Sequence, residues 1–319
     1  MSIDKKFIDQ FSNVTIKAAF AASRLIGKKD KIGADKAATD SMRNELNKIN
    51  MIGEVVIGEG ELDEAPMLYI GEKLGTNNGP MIDIAVDPLE GTNLVANNLP
   101  GGLSVIAIAE KNNLFNAPET YMNKIAVGNV EKDTVDLDYS LKKNISNLAD
   151  AKNKDISKIN ACILDRPRHK KTIDELKALK VNIKLITDGD VAGALLVSDN
   201  KYDTDIYLGI GGGPEGVLAA VALDALECQF QGRLIFNKEN DILRAKKMGI
   251  TELDKKYNIK DIVKGDSIFC ATGITTGDIL KGITADDENF ISETFITHKS
   301  TKTKKIHSQR NKINQWIWL

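Results

Sequence analysis

The chain is poor in cysteine and in histidine. Its three cysteines stand at 162, 228 and 270, odd in number, far apart and without Cys-x-x-Cys spacing. That pattern excludes a disulfide framework or a thiolate zinc site and points to a reducing cytoplasm. Only three histidines are present, and His298 and His307 lie near the C-terminus. An enzyme built this way must rest its acid–base or metal chemistry mainly on carboxylates and hydroxyls. An excess of one charge is also missing. The 43 Lys+Arg nearly balance the 45 Asp+Glu, leaving a formal charge of −2, which speaks against a nucleic-acid partner. No apolar run reaches the roughly 18 residues of a transmembrane helix. The opening MSIDKKFIDQ carries charges where a secretory segment needs apolar residues. A cytoplasmic protein without a membrane partner is therefore expected. Hydrophobic residues at 42% and charged residues at 28% suit a soluble globular chain, and 319 residues suffice for two subdomains.

What is present has a clear rhythm. Residues 5–26 read as an amphipathic helix through Phe7, Phe11, Val14, Ala18 and Leu25. A second helix is expected over 35–49, with Asp35 as its N-cap. Strands are expected at 54–57, 81–86 and 103–109, bounded by Gly and Pro. Segment 111–160 is polar, with one strand near 124–127. Beyond 160, strands at 161–164, 183–186 and 205–210 alternate with helices at 169–180, 191–197 and 215–226. This β-α alternation predicts an α/β protein with at least partly parallel strands. Strand-like text returns at 267–271 and 290–298. The expected division is 1–155 and 156–319.

Three segments carry chemistry. The strand ending at Ile57 runs into Gly58-Glu59-Gly60-Glu61-Leu62-Asp63-Glu64. Two carboxylates held together need a cation or a shared proton, although a polar turn after a buried strand fits the same text. The strand at 81–86 ends in Asp87-Pro88-Leu89-Glu90-Gly91-Thr92. Pro88 is expected to end the strand, Gly91 to admit a ligand, and Thr92 to open a helix. Asp87, Glu90 and the Leu89 carbonyl match the oxygen ligands that hard divalent cations take. A capped turn is the plainer alternative. The third segment, Gly211-Gly212-Gly213-Pro214-Glu215-Gly216, fits a dinucleotide fingerprint between strand and helix. Glu215 at the helix entrance would repel a pyrophosphate but suit a cation, so a metal ligand is the preferred reading. It equally complements the helix dipole.

Two smaller pieces suggest substrate grips. Arg166-Pro167-Arg168 follows a strand, and paired guanidinium groups bind phosphate in two-pronged fashion. Asp188-Gly189-Asp190 precedes a helix and offers acceptors for sugar hydroxyls, or a helix cap. His169 beside Arg168 is expected to be a surface or loop residue.

These residues together resemble a known family. Asp87-Pro88-Leu89-Glu90-Gly91-Thr92 is similar to the signature of the lithium-sensitive, metal-dependent sugar phosphatases, with Glu90 in place of the usual second Asp. Adding Gly58–Glu61, 65–73, Tyr121-Met122, Arg166–Arg168, Asp188–Asp190 and Gly211–Gly216, the text resembles the class II fructose-1,6-bisphosphatases, the glycerol-operon type of bacteria. The resemblance covers most of 10–300.

The resemblance implies a layered α-β-α-β-α sandwich of two subdomains, commonly a homodimer or homotetramer. It implies hydrolysis of the 1-phosphate of fructose 1,6-bisphosphate in gluconeogenesis, with Mn2+ or Mg2+ as cofactor. Asp35 and Glu59 would hold one cation, and Asp87, Glu90 and Glu215 a second. Glu90, Gly91 and Thr92 would contact the scissile phosphate. Tyr121, Arg166, Arg168, Asp188, Asp190 and Gly212 would bind the rest of the sugar bisphosphate. Thr92 would orient the attacking water, with Glu59 and Glu61 competing for the supporting base role. Sedoheptulose 1,7-bisphosphate or an inositol phosphate is an alternative substrate. A nucleotide-dependent oxidoreductase using Gly211–Gly216 and a metal-binding regulatory module are the other readings. The run Lys28–Gly33 departs from the family text. The apolar end Asn314-Gln315-Trp316-Ile317-Trp318-Leu319 has no counterpart in it.

Overall fold

The computed structural model describes residues 3–58 and 68–313. Glu59, Glu61, Asp63 and Glu64 lie outside the described residues, as does the end with both tryptophans.

The chain begins with helices α1 (Phe7–Ser23) and α2 (Lys31–Leu46). Next come β1 (Ile52–Ile57), β2 (Lys73–Leu74), β3 (Met81–Glu90), the short α3 (Thr92–Ala96) and β4 (Leu103–Glu110). The middle of the chain supplies β5 (Tyr121–Val127), α4 (Leu141–Ala151), β6 (Asn160–Leu164), α5 (Lys170–Ala178), β7 (Asn182–Ile186) and α6 (Asp190–Leu195). It continues through β8 (Ile206–Gly212), α7 (Gly213–Ala225), β9 (Gln229–Ile235), α8 (Glu239–Lys247), β10 (Lys256–Asn258) and α9 (Ile259–Ile262). Strands β11 (Ser267–Gly273), β12 (Thr284–Ala285), β13 (Asn289–His298) and β14 (Thr303–Lys312) close the described chain. The fold is mixed α/β, as expected.

Two compact units form: Met1–Phe115 with Val263–Leu319, and Asn116–Ile262. The first returns to itself because β11 pairs antiparallel with β4 across a gap of more than 150 residues, from Ser267↔Ala109 to Gly273↔Leu103. The expected division at 155/156 falls inside the second unit, in the connection between α4 and β6.

The first unit holds an eight-stranded sheet in the order β12-β13-β11-β4-β3-β1-β2, with β14 added to β13. β1 and β3 are parallel; the other pairs are antiparallel. α1 buries Phe7, Phe11, Val14, Ala18 and Ala22, a three-to-four spacing that makes one apolar face. That face packs with α2 and with Ile84, Ile106, Ile268 and Ile296 of the sheet. Phe20 stacks on Phe290 with ring centroids 4.1 Å apart, securing the same helix to β13.

Several expected boundaries move, each for a visible reason. α2 starts at Lys31 because Asp30, not Asp35, is its N-cap: Gly33 N donates to Asp30 Oδ1 at 2.8 Å. Asp35 therefore sits within the helix. β3 does not stop at Pro88 but runs to Glu90. A bulge between Asp87 and Glu90 takes Pro88 and Leu89 out of register with β4, so the missing proline donor costs nothing there. The polar stretch before 160 contains α4, started by Ser140 accepting from Lys143 N.

The second unit is a six-stranded sheet in the order β10-β9-β5-β8-β6-β7. β6 runs parallel to both β7 and β8, whereas β5, β9 and β10 are antiparallel to their neighbours. The sheet is thus partly parallel, as the β-α alternation predicts. Its core gathers Ile125, Val127, Ile145, Leu148, Ala161, Ile163, Leu176, Ile206 and Leu208.

Candidate active site

In the first unit, acids cluster at a strand end. Asp87 is half-buried and Glu90 buried at the end of β3. Gly91 adopts the left-handed conformation at φ 81° and is the N-cap of α3, whose first residue is Thr92. Leu94 N closes the turn on the Gly91 carbonyl at 2.8 Å. A side chain at Gly91 would also touch Leu94 Cδ1, but it is the left-handed backbone angle that calls for glycine.

Asp35 lies on α2, which packs against β3 and α3. The loop between α1 and α2 is also tied to α3, by Gly27 N to Val95 O at 3.0 Å and Lys29 N to Ala96 O at 2.9 Å. This is the departing Lys28–Gly33 run, and its conformation is set by those bonds and by the Asp30 cap. Asp35 Oδ1 is buried without a hydrogen-bond partner, and burial pushes its carboxyl pKa up.

Glu59 and Glu61 lie outside the described residues, but the base of their segment is defined. Gly58 approaches Leu68 so closely that a Cβ would stand 2.1 Å from the Leu68 carbonyl oxygen. Gly71 N donates to Val55 O at 2.7 Å and Val55 N to Glu72 O at 3.0 Å. Arg43 of α2 then grips buried Glu72 through Nε at 2.7 Å and Nη2 at 3.2 Å. The helix that carries Asp35 is thereby locked to the end of that segment.

Among the described residues, no three His, Cys, Asp or Glu side chains come together as a metal group. The residues present still fit a hard cation. Their donors are all oxygens, and the buried, unpartnered Asp35 Oδ1 needs a positive partner.

The second unit assembles a separate set around the junction of β8 and α7. Tyr121 of β5 lies opposite Gly212 of β8. The Arg168 guanidinium stacks 4.8 Å from the Tyr121 ring centroid, and its Nε donates to Ile210 O at 2.9 Å. Asp190 is buried against Lys124, itself 1% exposed, in a direct ion pair. Arg166 Nη2 lies 3.6 Å from Asp188 Oδ1. Tyr121, Arg168, Asp190, Gly212 and Glu215 thus gather around one strand end, with Arg166 and Asp188 paired nearby.

The glycines there make room for carboxylates. A Cβ at Gly211 would lie 2.0 Å from Asp190 Oδ2, and one at Gly212 would lie 1.9 Å from Glu215 Oε2. Both spaces where a dinucleotide-binding turn would admit a pyrophosphate are therefore taken by carboxylate side chains. Burial raises the Glu215 pKa; the Lys124 ammonium opposes that rise, while Asp190 and Asp188 add to it. Asp190 is not a helix cap: Gly189, left-handed at φ 86°, occupies the N-cap of α6.

His169 corrects the sequence reading. It is 1% exposed, not a surface residue. Its Nδ1 donates to Leu164 O at 2.7 Å and its Nε2 accepts from Ile210 N at 2.7 Å. The ring is neutral, because a protonated Nε2 cannot accept. Ile210 is held by His169 at its N–H and by Arg168 at its carbonyl, which fixes the strand just before Gly211. Lys124 belongs to the same set, and its one signal in the sequence is a lysine directly before the apolar run Ile125-Ala126-Val127.

The fold is mixed α/β, with acids at strand ends in each unit and, in the second unit, an arginine–tyrosine pair, groups that suit phosphate esters. The family described as bacterial fructose-1,6-bisphosphatase, glpX-encoded, matches residues 5–310. The chain is 42% identical over 308 residues to the fructose-1,6-bisphosphatase 1 class 2 of Escherichia coli (strain K12), covering 92% of this chain and 91% of that one. It is 40% identical over 295 residues to the D-fructose 1,6-bisphosphatase class 2/sedoheptulose 1,7-bisphosphatase of Prochlorococcus marinus (strain MIT 9301), covering 88% and 89%. The chain belongs to the class 2 fructose-1,6-bisphosphatase family. The oxidoreductase reading falls with that membership and with the occupied glycine turn.

The His169 bonds predict an acid-sensitive strand end. Burial lowers the His169 pKa below 6.5, with Arg168 acting in the same direction and the Leu164 and Ile210 backbone groups and Asp190 against it. A lowered folded pKa gives stability that is complete above the unfolded value and lost as pH falls through the folded one. His169→Gln should lower the melting temperature at pH 8 yet flatten its fall between about pH 7 and pH 5. Melting curves across that range check it.

Proposed function

We propose that the chain hydrolyses the 1-phosphate of fructose 1,6-bisphosphate to give fructose 6-phosphate and phosphate. The observation that carries this reading is family membership across residues 5–310, with the Asp87–Thr92 turn intact within it. We further propose that the enzyme works in gluconeogenesis in the cytoplasm as a homodimer or homotetramer, with Mn2+ or Mg2+.

Asp35, Asp87 and Glu90 of the first unit are the proposed cation ligands, with Glu59 beside them in sequence pattern; Glu215 is the proposed ligand of the second unit. A bound divalent cation supplies charge neutralisation and water activation for phosphoryl transfer. The protein's own groups do the rest. Gly91 and Thr92 hold the phosphate at the start of α3. The Thr92 hydroxyl orients the attacking water, and Glu59 or Glu61 accepts its proton. A P–O bond forms to the water oxygen, the bond from phosphorus to the sugar oxygen breaks, and that oxygen takes a proton from solvent water, to which the glutamate returns the one it accepted. Arg166, Arg168 and Tyr121 hold the second phosphate, and Asp188 and Asp190 accept from sugar hydroxyls. The Prochlorococcus relative carries a second activity in its name, so sedoheptulose 1,7-bisphosphate belongs in the same test.

Phosphate release should be measured on fructose 1,6-bisphosphate, sedoheptulose 1,7-bisphosphate and an inositol phosphate with each cation. Fructose 1,6-bisphosphate should lead the panel, with an absolute need for Mn2+ or Mg2+ and no turnover in excess chelator. Robust turnover in chelator would remove the cation from the account. Thr92→Ala should lose about 100-fold or more in turnover while its circular dichroism and Mn2+ binding stay normal; near-normal turnover excludes Thr92 from the reaction.

A further inference from the structure

The geometry points to Lys124 as a positioning residue that holds Asp190, and through it the sugar-binding strand end, in the conformation the substrate needs. This rests on the substrate role proposed for Asp190.

Lys124 stands in the middle of β5 and is 1% exposed. Its neighbours on both sides are glycines, Gly209 on β8 and Gly232 on β9. Cross-strand partners share a face of the sheet, so neither flank carries a side chain beside the lysine. A third glycine, Gly216 of α7, clears the route above it: a Cβ there would lie 3.2 Å from Lys124 Cε. The aliphatic stem thus rises past Gly216, with the Met122 thioether filling the space beside Gly232, and the ammonium meets Asp190 Oδ2 at the end of it. That same oxygen fills the space beside Gly211. The other oxygen, Asp190 Oδ1, is buried without a hydrogen-bond partner.

This is an expensive arrangement if stability were its purpose. A buried ion pair is commonly no more stabilising than apolar groups of the same volume. What the lysine supplies is direction: it pins one carboxylate oxygen and leaves the other as the free acceptor. Its charge also stands near Glu215, where burial disfavours the ionised form.

The test is a double-mutant cycle with wild type, K124M, D190N and K124M/D190N. Each is measured for KM and kcat on fructose 1,6-bisphosphate with Mn2+, for fructose 6-phosphate binding by calorimetry, and for melting temperature. K124M should raise KM and weaken fructose 6-phosphate binding at least tenfold, with a smaller fall in kcat. D190N should do the same, and the double variant should be no worse than either single one. The melting temperature should drop in K124M and recover in K124M/D190N, because the stranded carboxylate is gone. A K124M enzyme whose KM lies within twofold of wild type, or a double variant whose KM change is the product of the two single changes, overturns the proposal. A wild-type chain that releases no phosphate from fructose 1,6-bisphosphate overturns the substrate reading instead. The melting-temperature arm then still decides the pairing, since no recovery in the double variant overturns it.

Discussion

A carboxylate packed against a glycine is the constraint on which the second unit's chemistry depends. Asp190 and Glu215 each take the volume a Cβ would occupy at Gly211 and Gly212. Buried carboxylates are tolerated only with compensating charge or donors. Lys124 provides that charge for Asp190, and the glycine at 216 leaves room for its stem. The turn between β8 and α7 is therefore glycine-rich for the sake of acids and not to admit a nucleotide. Its position is fixed from outside by Ile210, held on one side by His169 and on the other by Arg168.

The first unit solves a related problem at a different strand end. There the bulge in β3 lets an acid, a proline and a second acid follow one another without breaking the strand. The left-handed Gly91 then turns the chain so that Thr92 starts α3. α2, which carries Asp35, packs against this strand and helix and is anchored by the Asp30 cap and by Arg43 on Glu72. The near-neutral formal charge of −2 thus conceals acids held at strand ends and basic groups held beside them. Few histidines are needed if the proposed oxygen ligands and hydroxyl serve, and the one in the second unit acts as a neutral brace.

Much of this was legible in the sequence because it depends on local patterns. The apolar spacing of α1, the β-α alternation after 160, and the acid-rich strand ends at 87–90 and 215 all read directly. Long-range consequences did not. The return of β11 to β4 joins residues that no local pattern connects, so the two units interleave along the chain. The Asp30 cap was hidden by a second good candidate, Asp35, five residues later. Pro88 reads as a strand end unless a bulge is allowed for. His169 and Lys124 are polar residues whose burial is decided by partners about 40 and 66 positions away, at Ile210 and Asp190.

The most direct measurement of the glycine–carboxylate account is the Mn2+ dependence of phosphate release by Gly212→Ala. A Cβ 1.9 Å from Glu215 Oε2 must displace that carboxylate, while the backbone angle of Gly212, φ −64°, accepts alanine without strain. The variant should keep its circular dichroism, need at least tenfold more Mn2+ for half-maximal rate, and turn over more slowly at saturation. A Gly212→Ala enzyme with the wild-type rate and the wild-type Mn2+ requirement would contradict the account.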